Sequence, residues 1–426
     1  MTKKLVDLKS LLSRPIYLSV PATSVNDEMS LELNGGEMEV RELSPSAMPA
    51  ASIPRIWDSS DSNAYFDRLG VRSIFLVTDD QAYARSGAEL MLRRAMHNRH
   101  VVRFSDFTAN PKSDEIDRAV RALRSDRFDL IVAVGGGSAM DVAKLARACN
   151  REDTAAADVI QRRVPVQTDS VPLLAIPTTA GTGAEATHFS AVYVEGRKYS
   201  LGDPSMRPQY VILNEKLLES LPRQITLQTG LDATCQAIES TWSTRSTPTS
   251  RQFAARALRL AWSALPVCLC SPTPRSRRMM LNAAHLAGRA IDISQTTACH
   301  ALSYSLTSHF NVPHGLAVAL MLGPVWSFNA RVTEEDVADP RGVAHVRKMM
   351  QRLAHFIGAS SVEDAADVIR ARLMELGGAV RFSDCNVPKE QAIELIAREV
   401  DPMRAGNNPR RMSAEQVAAI LEPLAA

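Results

Sequence analysis

The chain has 426 residues, 45% hydrophobic and 23% charged, with a net charge of +2, which describes a globular chain long enough for two domains. That balance gives no footing for nucleic acid or an anionic membrane as partner, and no apolar run reads as a membrane span. The N-terminus lacks a signal peptide's apolar core, and 6 cysteines in so long a chain read as reduced thiols, which suits a cytoplasmic protein.

Residues 1–64 read as an N-terminal arm with edge strands. Ile16–Val20 and Met38–Leu43 are strand candidates beside a Pro-, Ser- and Ala-rich stretch, Leu43–Arg55. From about residue 65 strands and helices alternate. Asn63–Leu69 predicts a helix stopped by Gly70, and Ser73–Asp79 a buried strand. A helix over about 82–97, a strand at His100–Phe104, a turn at Asn110-Pro111 and a helix over 113–125 follow. Phe128–Val134 is the next buried strand. Such alternation implies a doubly wound parallel sheet over residues 65–222.

That last strand runs into Gly135-Gly136-Gly137-Ser138-Ala-Met-Asp141-Val-Ala-Lys144. Consecutive glycines between strand and helix let a phosphate approach the backbone at a helix N-terminus, although a flexible turn has the same composition. The polar stretch 150–168 reads as a surface excursion. Val171–Pro177 is another buried strand, ending in Thr178-Thr179-Ala180-Gly181-Thr182-Gly183, which suits phosphate and ribose contacts. His188–Ser200 reads as a hairpin turning at Glu195-Gly196, and Val211–Leu213 as a last short strand.

Beyond about residue 222 long helical patterns replace strands, at 225–241, 248–265, 275–293 and 361–376, so residues 223–426 read as an all-helical domain. Asp232 and Gln236 share a helix face, in apolar surroundings where a lone carboxylate is costly. His300 and Tyr304 share another face. Pro313 cannot continue that helix but suits the start of the next, which His314 would open. Asp232, His300 and His314 can supply three ligands of a divalent metal, with Gln236 as a fourth oxygen and positions left open for substrate. A helix cap or salt bridge for Asp232, and core or surface roles for the histidines, are the alternatives.

Gly-Gly-Gly-Ser-x-x-Asp-x-x-Lys at 135–144, Pro-Thr-Thr-Ala-Gly-Thr-Gly at 177–183, Gly-Leu-Asp-Ala at 230–233 and Pro-His-Gly at 313–315 stand in one order. In that order they resemble the iron-containing (group III) alcohol dehydrogenases. The resemblance implies an α/β dinucleotide-binding domain, an all-helical domain with a metal in the cleft between, and NAD(P)H-dependent interconversion of aldehyde and alcohol. It implies that Gly135, Gly136, Gly137, Ser138, Asp141, Thr178, Thr179 and Thr182 hold the cofactor, with Lys198 beside it. Asp79 takes the place of the acidic residue after the second strand, which favours NAD(H) over NADP(H). Asp232, His300 and His314 match metal ligands, with Fe2+ expected ahead of Zn2+.

Gln236 and Tyr304 stand where that family usually has histidine. With Thr187–Val194, Lys198–Leu201 and His300–Ser308, they are similar to the phosphonoacetaldehyde reductase branch. That likeness implies reduction of phosphonoacetaldehyde to 2-hydroxyethylphosphonate in phosphonate biosynthesis. Tyr304 and Lys198 are then the catalytic candidates, and His188, Arg289 and His309 the candidates for the phosphonate. A short-chain alcohol or diol dehydrogenase, and a metal-free nucleotide-binding relative, are the other readings. Partners are expected to be small aldehydes or alcohols, with room for a homodimer.

Overall fold

The computed structural model describes residues 55–57, 62–168, 171–400 and 405–425. The strand candidates in residues 1–54 lie outside them. Among the described residues eight strands form a six-stranded parallel sheet in the order β1-β8-β5-β4-β2-β3 and a separate two-stranded pair, β6 and β7. The sheet strands are β1 (Arg55–Trp57), β2 (Ser73–Thr78), β3 (His100–Phe104), β4 (Leu130–Gly135), β5 (Leu173–Pro177) and β8 (Tyr210–Ile212). The antiparallel hairpin is β6 (Phe189–Val194) and β7 (Arg197–Gly202), turning at Glu195-Gly196 as its sequence predicts.

Every residue of β4 and β5 is buried, as continuous apolar runs in a doubly covered sheet require. Alternate residues feed two cores. Phe75, Val77, Ile131 and Ala133 pack on one face under α4 (Ser113–Arg124) and α5 (Gly137–Ala148). Ile74, Leu76, Leu130 and Val132 pack on the other, under α1 (Ser62–Arg68), α2 (Asp80–Arg85) and α3 (Ala88–Met96). The helix predicted over 82–97 is two helices, because the chain breaks at Ser86-Gly87. The stretch 150–168 is not wholly a surface excursion. Its α6 (Ala156–Ile160) buries Ala156, Val159 and Ile160, a short apolar face that the flanking charges obscure.

The strand order reverses at β2. Its neighbours β3 and β4 lie on opposite sides, so the carboxyl ends of β2 and β4 flank a crevice of the kind that holds dinucleotides.

After β8 the described chain is helical: α7 (Arg223–Trp242), α8 (Pro248–Cys270), α9 (Pro274–Ser294), α10 (Ala298–Phe310), α11 (His314–Ala330), α12 (Val343–Phe356), α13 (Ala365–Leu376), α14 (Lys389–Glu399) and α15 (Ala414–Leu421). Pro248 and Pro274 sit at the first helical positions, behind Thr247 and Thr273 whose hydroxyls accept from the N–H groups of Ser250 and Ser276. α8 is long and apolar enough to cross a membrane by length and composition, which corrects the sequence reading. Half of its apolar window is buried in the structure, against a core that includes α7 and α9.

Candidate active site

Gly135 ends β4 at φ +152°, and a Cβ there would come within 2.8 Å of the Ala139 Cβ. Only glycine lets the strand turn so sharply into α5. Gly136 caps α5 with no side chain on the first N–H groups, so they face the crevice unclaimed by any cap. Thr179 and Thr182 pack on Gly136 and Gly137. The buried Thr178 donates its backbone N–H to the Gly135 carbonyl at 2.9 Å, and its hydroxyl has no partner among the described residues. Ser138 Oγ accepts from the Asn110 N–H at 3.3 Å. These residues, named from the sequence as cofactor ligands, are brought together at the strand reversal.

Asp79 lies across from Gly135, its Cβ 3.8 Å from where a Gly135 side chain would stand. It also caps α2, with Oδ1 accepting from the Ala82 N–H at 2.8 Å. Asp141 sits deeper. Burial pushes its carboxyl up to about 6, although Lys144 and Lys198 pull the other way. Lys144 is fully buried, and burial draws its ammonium down to about 8 against the pull of Asp141. It donates to Thr187 Oγ1 at 2.9 Å and to the Phe189 carbonyl at 3.0 Å, tying α5 to the start of the hairpin.

The helical half supplies the second cluster. Ligand atoms of Asp232, His300 and His314 lie within 4.8 Å of one another. His314 opens α11, as its sequence predicts. Gly315 explains the glycine after it, because any side chain there would collide with the Gln228 carbonyl of α7. This approach brings His314 up to Asp232. The His300 and His314 rings are 5.5 Å apart. Gln236 Nε2 donates to the Thr182 carbonyl at 3.3 Å, while its buried Oε1 has no partner among the described residues. An orphaned buried acceptor beside a carboxylate and two imidazoles fits a cation better than a plain hydrogen-bond network does.

Sequence reasoning missed Glu239. Fully buried one further turn along α7, it accepts from the Thr297 hydroxyl at 2.7 Å and from the N–H groups of Thr297 and Cys299 at 3.1 and 2.8 Å. It thereby caps α10 from another helix, and the positive end of α10 favours its charge. Its other oxygen holds His300 Nδ1. Trp242 Nε1 extends the chain by donating to Thr297 Oγ1 at 2.8 Å. Burial opposes charge on both Glu239 and Asp232, yet the imidazoles hold both carboxyls below the ordinary carboxylate range. Burial likewise opposes the imidazolium, but Glu239 and Asp232 raise His300 to about 9. A spacing of seven residues from Asp232 puts Glu239 on the same face, and that was the signal available.

Tyr304 is stacked on His314 at 6.1 Å, and the Lys198 ammonium lies 3.7 Å above the Tyr304 ring. Both line a cavity of about 940 Å³ that reaches His188 and His309. His309 is exposed and paired with Glu399 at 2.8 Å. Arg289 stacks over Phe253 at 4.1 Å and does not line the cavity. Although only three residues from Asp292 on α9, its guanidinium turns to Phe253 of α8.

Residues 58–215 match the iron-containing alcohol dehydrogenase family, and residues 226–425 its C-terminal domain. The chain is 38% identical over 318 residues to the phosphonoacetaldehyde reductase of Streptomyces viridochromogenes, covering 72% of this chain and 79% of the relative. It is 33% identical over 386 residues to the 1-propanol dehydrogenase PduQ of Citrobacter freundii, covering 87% and 98%. The sulfoacetaldehyde reductase of Bifidobacterium kashiwanohense, crystallised with NAD+, superposes with a TM-score of 0.78 at 29% identity, covering 88% and 98%. With its parallel sheet, its helical half and matches running through both, the chain belongs to the iron-containing alcohol dehydrogenase family and is an oxidoreductase.

Proposed function

We propose that the protein reduces phosphonoacetaldehyde to 2-hydroxyethylphosphonate with NADH and a divalent metal. The observation that carries this reading is the Lys198 ammonium, fixed over the Tyr304 ring beside His314. It places a cation next to the metal cluster, where a short aldehyde with an anionic tail needs one. Arg162, Arg197 and His188 line the same cavity, so it is lined by more basic than acidic groups. Two relatives are named for two-carbon aldehydes carrying a phosphonate or a sulfonate.

In this reading residues 65–222 hold the cofactor and residues 223–426 the metal, with Fe2+ ahead of Zn2+. Asp79, Gly135–Ser138, Asp141, Thr178, Thr179 and Thr182 bind the dinucleotide, and the Asp79 carboxylate selects NAD(H) by accepting from a ribose hydroxyl. Asp232, Gln236, His300 and His314 hold the metal. When bound, the metal polarises the aldehyde oxygen and the nicotinamide supplies hydride. Lys198 neutralises the phosphonate and orients the carbonyl. Tyr304 offers a hydroxyl proton to the oxygen that becomes the alcohol.

The test is NADH oxidation by the metal-loaded protein with phosphonoacetaldehyde, sulfoacetaldehyde and propanal in parallel. The expected kcat/KM is highest for phosphonoacetaldehyde by at least about tenfold. Preference for propanal would assign the chain to short-chain alcohols instead, the activity for which its 33% relative is named.

A further inference from the structure

Asp292, on α9, is an acceptor saturated from two sides. Its Oδ1 accepts from the His188 backbone N–H at 2.7 Å and from His188 Nδ1 at 2.6 Å. Its Oδ2 accepts from Arg207 Nε and Nη2 at 3.1 and 2.6 Å. The Asp292 side chain is 7% exposed and that of Arg207 11%, while His188 keeps 23% open to the cavity that Lys198 and Tyr304 line. Burial works against the charge on Asp292, but the His188 bond and the Arg207 guanidinium hold it ionised. An ionised carboxylate only accepts, so the proton on Nδ1 is fixed and Nε2 is left for the cavity. Arg207 balances Asp292. With Nδ1–H on Asp292, it is the imidazolium form of His188 that presents Nε2–H as a donor to the cavity. Backbone contact between Gly288 of α9 and Gly183 holds the two segments together.

We propose that His188 is a second contact for the anionic end of the substrate, opposite the reacting end, and that Asp292 is its positioning residue. The proposal rests on the anionic-aldehyde reading above. Lys198, on β7, sits beside the metal cluster. His188 precedes β6 and touches Gly202 at the far end of β7, with Nε2 3.6 Å from where a Gly202 side chain would stand. Lys198 and His188 thus stand toward the two ends of one wall. A phosphonate carries three acceptor oxygens and takes donors from Lys198 and from the Nε2–H of a His188 imidazolium.

Three variants test it on the metal-loaded protein. His188→Asn keeps a nitrogen near Nδ1 and removes Nε2, whereas His188→Gln keeps a donor near Nε2. Asp292→Asn keeps shape and removes the charge that fixes the imidazole. For phosphonoacetaldehyde, KM should rise at least about tenfold in His188→Asn and in Asp292→Asn, with kcat moving less. His188→Gln should recover most of the loss. Methylphosphonate should inhibit propanal reduction by the parent and lose potency in the same two variants. An unchanged KM in His188→Asn, or His188→Gln no better than His188→Asn, overturns the assignment even if Asp292→Asn fails to fold. A parent that neither uses phosphonoacetaldehyde nor binds methylphosphonate overturns the substrate reading itself, and His188's role with it.

Discussion

Glu239 grips His300 by Nδ1 from 61 residues away, which leaves Nε2 as the nitrogen that meets Asp232 at 3.2 Å. The pairing decides which nitrogen carries the proton. In Glu239→Gln the amide oxygen can still cap α10, but its NH2 then meets Nδ1. The ring would move its proton to Nε2, the atom a metal needs bare. We expect metal affinity to fall about 10- to 100-fold with the fold retained. Titration with Fe2+ or Zn2+ checks this, and excess metal should restore part of the activity.

Asp232→Ala should remove metal and activity together. The carboxylate is buried against both imidazoles, and no other acid joins the cluster among the described residues. Metal analysis of the purified variant decides it. Full occupancy would show that Asp232 is not a ligand.

Asp79 caps α2, and one substitution can separate that role from the proposed contact with the cofactor's ribose. Asparagine caps a helix as well as aspartate, so Asp79→Asn keeps the bond to the Ala82 N–H and removes only the charge. The kcat/KM ratio of NADPH to NADH should rise about tenfold with the melting temperature unmoved. An unchanged ratio would mean that Asp79 is a cap and nothing more.

Tyr304→His should lower kcat/KM for phosphonoacetaldehyde by at least about tenfold, roughly 1.4 kcal/mol, and for propanal much less. Imidazole is a poorer face for the Lys198 ammonium and, when protonated, repels it. The comparison is made at matched metal occupancy. Equal losses on both aldehydes would move Tyr304 to the chemical step, and no loss on either would leave it as packing.

Asp141 gives a pH signature. Its carboxyl titrates at about 6 in the folded chain against an ordinary 3.8, mainly because burial disfavours the charge. Between those values the folded state holds a proton that the unfolded chain has released. Stability from this group therefore falls as pH rises from about 4 to about 6, and is level above. Asp141→Asn does not titrate, so the melting temperature of the parent minus that of the variant should drop across that window. A flat difference would place Asp141 in contact with water. Lys144 titrates at about 8, outside the window.

Local chemistry was legible and distant pairing was not. The three glycines, the threonine loop, the hairpin turn and the proline before His314 each act on their own neighbours, and each is where the sequence puts it. Asp232, His300 and His314 also emerged, since a buried acid and histidines on helix faces ask for a common partner. Glu239, Asp292 and Arg207 did not. Each is one more charged residue until its partner, 61, 104 or 85 residues away, is known. Arg289 shows the converse. A cation near the right helix turn was a reasonable phosphonate candidate, but the side chain leaves on the face that meets Phe253.

The β6–β7 hairpin stands outside the six-stranded sheet, yet it carries Lys198 and follows directly on His188. If Lys198 and His188 choose the aldehyde as proposed, that choice is separated from the parts that cannot vary. Gly135 and Gly315 sit where an added methyl group collides with its surroundings. The ribbon buries Val192, Val194 and Leu201 in one core, while the alternate positions, on its other face, can be exchanged with less disturbance. Diversification of substrate range in such a scaffold has a low-risk route, and a library confined to Phe189, Ala191, Tyr193 and Ser200, off the core face of the hairpin, would sample it.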